Sequence, residues 1–287
     1  MKKKIKIMVA DPAGNITIFV KDPFSREQYP AVAGQLLADK ELKGEQVAFI
    51  LDTPAGGGAD GKMEMCGLEF CGNGSRSFGL ITAKKMGIKG KGSVNVDVSG
   101  CDEILTVEVD TEKNYTKIKM PNPLSVSKID LSQLPIGDTD SAIRQQLKRA
   151  AVLDFGGILH VVLKGVTADR KNFDIIKDYM MEKYNPPALG VMFCGKDAGE
   201  KELCPLVPVV YVKDVDTTYF EGSCGSGTTA CAAAFGLEKG EGTYRFVFPQ
   251  PAGTIESTVV IAGGKVDRVF IEGLVGISPE MEKEIEL

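Results

Sequence analysis

One short phrase occurs twice in this 287-residue chain. Cys71-Gly72-Asn73-Gly74 and Cys224-Gly225-Ser226-Gly227 stand 153 positions apart, about half the chain, and each opens a run of small, helix-compatible residues. Set in register, the two copies align Cys71 with Cys224, Gly72 with Gly225, Gly74 with Gly227 and Gly87 with Gly240. The matches fall on the cysteine, the turn and the helix stop, where backbone geometry is most demanding. Such a repeat restricts the chain to two similar halves, each with a glycine-led helix.

The flanking patterns predict an α+β chain. β-branched or alternating runs predict strands over 4–8, 16–20, 46–51, 93–98, 104–109 and 116–120. A second set covers 158–163, 207–212, 243–248, 255–261 and 266–273. Helices are predicted over 29–39, 75–86, 141–151, 172–184 and 228–239, the first with Pro30 at its start. Pro121-Asn122-Pro123 interrupts the chain after a strand and divides it into an N-terminal half, 1–123, and a C-terminal half, 124–287. The tail from about 274 to 287 is expected to pack on the first half.

Composition removes several classes. The net charge of −5, from 34 basic and 39 acidic residues, lacks the basic excess of a nucleic-acid binder. No apolar run reaches the 18 residues a membrane helix needs, and Asp11 and Pro12 cut short the apolar stretch that a signal peptide would require. The seven cysteines are odd in number and irregularly spaced, so reduced thiols in the cytoplasm are expected rather than a disulfide framework. With one histidine and no tight CxxC pair, no metal site is predicted.

A cysteine at a helix N-terminus feels the positive end of the helix dipole, which favours its thiolate. Glycines after it let backbone N–H groups approach an anion such as a carboxylate. Two such termini facing each other would hold one carboxylate and flank the adjacent carbon with two sulfurs. One sulfur could then take a proton from one face while the other returns it to the opposite face. No lysine motif for a pyridoxal Schiff base is evident, so stabilisation of the carbanion would fall to dipoles and N–H donors in a dry site. Competing motifs fit poorly. Arg76 comes one residue early for a Cys-x5-Arg phosphatase loop, and neither phrase continues as G-x-G-x-x-G.

With these residues in view, the chain resembles the diaminopimelate epimerases. Phe70-Cys71-Gly72-Asn73-Gly74-Ser75-Arg76 is similar to that family's first signature, Ser223-Cys224-Gly225-Ser226-Gly227-Thr228 to its second, and Ala13-Gly14-Asn15 to its N-terminal Gly-x-Gly-Asn segment. The resemblance covers nearly the whole chain. It implies two pseudo-symmetric halves, each with a sheet wrapped around a central helix, and an active site in the cleft between them. It also implies Cys71 and Cys224 as the proton-transfer pair, no cofactor and no metal. Gly72, Asn73, Gly225 and Ser226 would hold the substrate α-carboxylate. Asn15 would line the pocket, as would His160, with no role for His160 as the proton-transfer base.

The chain departs from that family where the far end of the substrate would be held. Met65-Cys66-Gly67-Leu68-Glu69 replaces Asn-x-Asp-Gly-Ser, Gly157-Ile158-Leu159-His160 replaces Gly-Asn-Pro-His, and residues 214–221 lack Glu-Arg-Gly-x-Gly. The expected substrate is therefore a free amino acid other than diaminopimelate, histidine among them. A diaminopimelate epimerase and a proline-racemase-type enzyme are the catalytic alternatives, and an amino-acid binder without catalysis is the third. A homodimer is compatible with this reading. Nucleic acid and membrane are not expected partners.

Overall fold

The computed structural model describes residues 2–53 and 56–286. It divides into two units, Met1–Lys119 with Glu272–Leu287, and Met120–Ile271. In the first unit, β1 (Lys2–Asp11) buries Ile5 and Ile7 and turns Lys4 and Lys6 outward, as the period of two along a strand requires. β2 (Thr17–Val20) is buried at every residue. The chain then crosses through α1 (Tyr29–Ala38), with proline in its first turn, to β3 (Gln46–Leu51), parallel to β2. β4 (Gly61–Met65) runs antiparallel to β3. α2 (Gly72–Lys85) carries the chain to β5 (Lys91–Val98), parallel to β4, and β6 (Leu105–Asp110) and β7 (Tyr115–Met120) complete the order β7-β6-β5-β4-β3-β2-β1.

α2 is buried at every residue from Gly72 to Ala83, against β4, β5 and β6. A helix hidden on all sides needs small residues where strands come close. Gly79 is such a point, since a Cβ there would lie 2.6 Å from Val107 side-chain atoms.

The second unit begins with β8 (Ser125–Ile129), α3 (Ser141–Leu147), β9 (Ala150–Asp154) and β10 (Leu159–Lys164). α4 (Arg170–Tyr184) crosses to β11 (Ala188–Cys194), parallel to β10, and β12 (Leu206–Val212) and β13 (Thr217–Phe220) follow. The strand order is β13-β12-β11-β10-β9-β8. Phe173, Ile176 and Met180 of α4 and Ile143 and Leu147 of α3 pack in one buried cluster with Val152, Val161, Val191 and Val209 of the sheet. α5 (Gly225–Lys239) is buried from Gly227 to Gly236 and packs against β9, β10 and β11. It also packs against β14 (Gly242–Gln250) and β15 (Gly253–Ala262), which precede β16 (Lys265–Leu274). Strands thus surround α5 as they do α2.

β17 (Gly276–Ile277) and β18 (Met281–Glu286) return to β1 and pair with it antiparallel. Lys2 and Lys4 meet Glu284 and Glu282 at 2.6 and 3.6 Å. Among the described residues no helix is long and apolar enough to cross a membrane.

Three helices differ from their sequence expectations by three residues or more, and strands β4, β8, β9, β11, β13, β17 and β18 lie where none was predicted. α2 and α5 start three residues earlier than predicted, at Gly72 and Gly225, so the glycines form the first helical turn instead of a loop before it. The helix predicted over 141–151 ends at Leu147, and Ala150–Asp154 is a strand that pairs with both β8 and β10. Pairing on both edges outweighs the helix propensity of its alanines and leucine. All four helices that follow the first crossover, α2 to α5, begin on a side-chain cap: Cys71, Asp140, Asp169 and Cys224.

Candidate active site

Cys71 and Cys224 are the N-cap residues of α2 and α5, and their local geometries match closely. Their dihedrals are φ −126°, ψ 109° and φ −132°, ψ 113°. Each sulfur accepts from the backbone N–H three residues on, Gly74 at 3.3 Å and Gly227 at 3.4 Å. Each cysteine carbonyl accepts from a hydroxyl in the next turn, Ser75 at 2.7 Å and Thr228 at 2.6 Å. A methionine sulfur lies over each capping glycine: Met65 Sδ beside Gly74 and Met192 Sδ beside Gly227. Any side chain at Gly227 would displace Met192.

Around Cys71 the first unit gathers Asn15, Gln46 and Thr17. Gln46 Nε2 lies 3.2 Å from Cys71 Sγ, 2.9 Å from Asn15 Oδ1 and 2.7 Å from Thr17 Oγ1. Asn15 Oδ1 is 3.9 Å from the sulfur, and its Nδ2 donates to Glu45 at 3.3 Å. The turn that presents Asn15 holds Ala13 at φ 71° and Gly14 at φ 86°, and Asp11 accepts from the Gly14 N–H at 2.6 Å. A left-handed alanine is an uncommon conformation and marks a turn whose shape is imposed by its surroundings. Asn73 is buried, with its side-chain oxygen bonded to Arg76 Nε. Its backbone carbonyl accepts from Ser77 Oγ at 2.8 Å.

Around Cys224 the second unit gathers Ser226, His160, Glu221 and Gln250. Ser226 Oγ lies 3.5 Å from Cys224 Sγ and 3.1 Å from His160 Nε2. Gln250 accepts from the Cys224 N–H at 2.9 Å and donates to Thr228 at 2.9 Å, bracing the helix start from β14. The structure therefore brings Asn15, Gly72 and Asn73 together at Cys71, and Gly225, Ser226 and His160 together at Cys224. Sequence reasoning missed Gln46, Gln250 and the fully buried Arg76. Gln46 and Gln250 sit in strands far along the chain from the cysteines they serve, with no motif to mark them. Arg76 stood in the sequence as the end of the first signature and as a poorly spaced phosphatase residue, with no role of its own assigned.

Burial pushes both thiols above the ordinary cysteine range. For Cys71 the Gly74 N–H and Gln46 amide oppose the rise, while the Glu69 carboxylate adds weakly to it. For Cys224 the rise is larger, because the Glu221 carboxylate adds to burial, and Ser226 and the Gly227 N–H oppose it. The two sulfurs thus share a backbone frame but differ in charge environment. Burial also lowers the His160 imidazole to about 3, so it is neutral at physiological pH. Among the described residues no group of three or more His, Cys, Asp or Glu side chains could hold a metal ion, and all seven cysteines are free thiols. A cavity of about 550 Å³ in the second unit, bounded by Lys128, Gln146, Ala151, Lys164, Phe235 and Glu238, lies at the far end of α5 from Cys224.

Residues 4–282 match the family described as histidine racemase CntK N-terminal domain. A histidine racemase of Fusobacterium nucleatum subsp. nucleatum is 30% identical over 295 residues, covering 98% of this chain and 97% of its own. A histidine racemase of Staphylococcus aureus is 24% identical over 259 residues, covering 88% of each chain. Among solved structures, a protein of Pseudomonas aeruginosa described as a predicted epimerase superposes with a TM-score of 0.64 at 13% identity, over 98% of this chain and 99% of that one. A hydroxyproline epimerase of Agrobacterium vitis gives 0.59 at 12% identity, over 98% and 91%. The family match and these curated relatives are histidine racemases, which stand among the free amino-acid racemases expected from the sequence. This chain belongs to the histidine racemase family and is an isomerase, an amino-acid racemase of mixed α+β fold.

Proposed function

We propose that the protein inverts the α-carbon of free histidine without a cofactor, with Cys71 and Cys224 as the proton-transfer pair. The observation that carries this reading is the paired cap geometry: two cysteines with the same dihedrals, the same glycine N–H donor and the same hydroxyl brace, each at the start of a buried helix. The family match and the relatives' names support histidine as the amino acid. In this mechanism a thiolate removes the Cα proton from one face. The electron pair is delocalised into the carboxylate, whose charge the first-turn N–H groups of Gly72, Asn73, Gly225 and Ser226 stabilise. The opposing thiol donates its proton to the other face and becomes the thiolate, so the next turnover runs in the opposite sense.

The asymmetry of the two environments favours Cys71 as the resting base and Cys224 as the resting acid. Gln46 donates to Cys71, whereas Glu221 opposes negative charge on Cys224. Asn15 completes the Cys71 pocket. This reading takes the fold to be diaminopimelate epimerase-like, with two pseudo-symmetric halves. It needs no metal, nucleic acid or membrane, and it is compatible with a homodimer.

The test is incubation of a panel of L-amino acids in D2O with the protein, scored for loss of the Cα–H signal and gain of the D isomer. Histidine is expected to exchange fastest. Exchange of no amino acid would leave a binder only. Oxidation is expected to crosslink Cys71 to Cys224 with loss of activity that reductant restores.

A further inference from the structure

His160 is buried near the start of β10 with one polar partner and one orphan atom. Its Nε2 is 3.1 Å from Ser226 Oγ, while Nδ1 is buried and has no hydrogen-bond partner. Nδ1 faces Gly190, its register partner on the parallel strand β11. A Cβ at Gly190 would overlap Nδ1 and lie 2.6 Å from Cε1, so the imidazole occupies the space a side chain would take. Phe155 closes the ring from its edge, with centroids 5.7 Å apart.

This packing selects a tautomer. A neutral imidazole carries one N–H, and a buried N–H without an acceptor is rarer and costlier than a buried lone pair without a donor. The proton therefore belongs on Nε2, and it is donated to Ser226 Oγ. That lone pair of Ser226 is then occupied, and its hydroxyl hydrogen is free to turn to Cys224 Sγ at 3.5 Å. The opposite tautomer would reverse the chain, with Nε2 drawing the hydroxyl proton away from the sulfur.

We propose that His160 is a positioning residue: as the Nε2–H tautomer it orients the Ser226 hydroxyl as a hydrogen-bond donor to Cys224, which stabilises that thiolate each time Cys224 gives up its proton. The inference rests on the two-cysteine reading and gives His160 a task other than contact with substrate. The relay offsets what disfavours charge on Cys224, namely its burial and the Glu221 carboxylate in the turn after β13. It is also the counterpart of the Gln46 amide at Cys71, so each sulfur has one backbone donor and one side-chain donor.

His160 is the single histidine of the chain, so selective ¹⁵N-histidine labelling reports on one imidazole without assignment. In the substrate-free protein the expected spectrum has a protonated Nε2, an unprotonated Nδ1 and no titration near the ordinary histidine value. A protonated Nδ1 overturns the proposal. The second measurement is alkylation of Cys224 by iodoacetamide as a function of pH, read peptide by peptide by mass spectrometry. Ser226→Ala and His160→Leu are each expected to lower the alkylation rate about tenfold at a fixed pH, equivalent to one unit in the thiol midpoint, and the double variant no further. His160→Gln, which keeps an N–H donor, is expected to restore much of the rate. An effect of His160→Leu that persists in the Ser226→Ala background, or no effect on the parent, overturns the proposal. None of these readouts uses racemisation, so a protein that passes them but exchanges no Cα hydrogen would refute the proposed function alone.

Discussion

Arg76 Nε lies 3.0 Å from Asn73 Oδ1, less than a turn back along α2, and this bond is one of five the buried guanidinium makes. The others go to Thr116 Oγ1 and to the carbonyls of Gly273, Leu274 and Pro12, at 3.1–3.3 Å. None of the five acceptors is a carboxylate. Burial lowers the guanidinium to about 10, which still leaves it charged at neutral pH. A full positive charge thus sits beneath the first turn of α2, tied to the segment that presents Asn15 and to the returning C-terminal strand.

Arg76→Met is expected to destabilise the protein by about 4 kcal/mol or more, because several buried acceptors lose their donor at once, each worth about 1–3 kcal/mol. Arg76→Lys should recover only part, since an ammonium cannot reproduce the planar fork. Urea unfolding of the three proteins measures this, and equal stability of Arg76→Met and parent would refute the bracing role.

Cys71→Ser and Cys224→Ser are each expected to reduce kcat for racemisation by roughly 10²–10⁴-fold, the usual worth of a positioned acid or base. Histidine CD or chiral chromatography follows the loss. Normal racemisation by both variants would remove the two-cysteine mechanism.

The pH profile should be displaced to the alkaline side. Both thiols are raised by burial, so at neutral pH the reactive thiolate is scarce and its fraction grows as pH rises. Activity is expected to climb above neutrality and fall once the second thiol also ionises, with both limbs belonging to the coupled pair. An optimum below about pH 7 would contradict the shifts.

Stability should fall on the acid side through His160. Its folded value is lowered to about 3 from 6.5, so the unfolded chain takes up the proton first. The contribution is fully present above about pH 6.5 and is lost progressively as pH falls toward 3, in total on the order of a few kcal/mol. His160→Gln, which does not titrate, should flatten that limb in denaturation curves collected from neutral to acid pH.

Much of this was legible in the chain itself, for identifiable reasons. The repeat located both helices and both cysteines, since glycines at a helix start and stop leave a signal in local sequence. Gly87 and Gly240 both take a positive φ just past their helices, 75° and 89°, a backbone that favours glycine. The exact helix starts were not legible, because cysteine is a rare cap and its sulfur bond to Gly74 or Gly227 has no propensity signature. β18 was missed because Met281–Glu286 is a charged stretch whose pairing depends on the lysines of β1, more than 270 positions away in the chain. Gln46 and Gln250 were missed for the same reason: a long-range contact decides their role.

Sulfur is a feeble acceptor, and serine or aspartate would anchor a helix more firmly at either cysteine. The Cys→Ser variants expected to lose racemisation should therefore hold their fold as well as the parent, or better. On the proposed mechanism the protein keeps two of its buried helices on weak moorings so that the atoms at their tips stay reactive, and a search guided by thermal robustness alone would replace the two residues assigned to proton transfer.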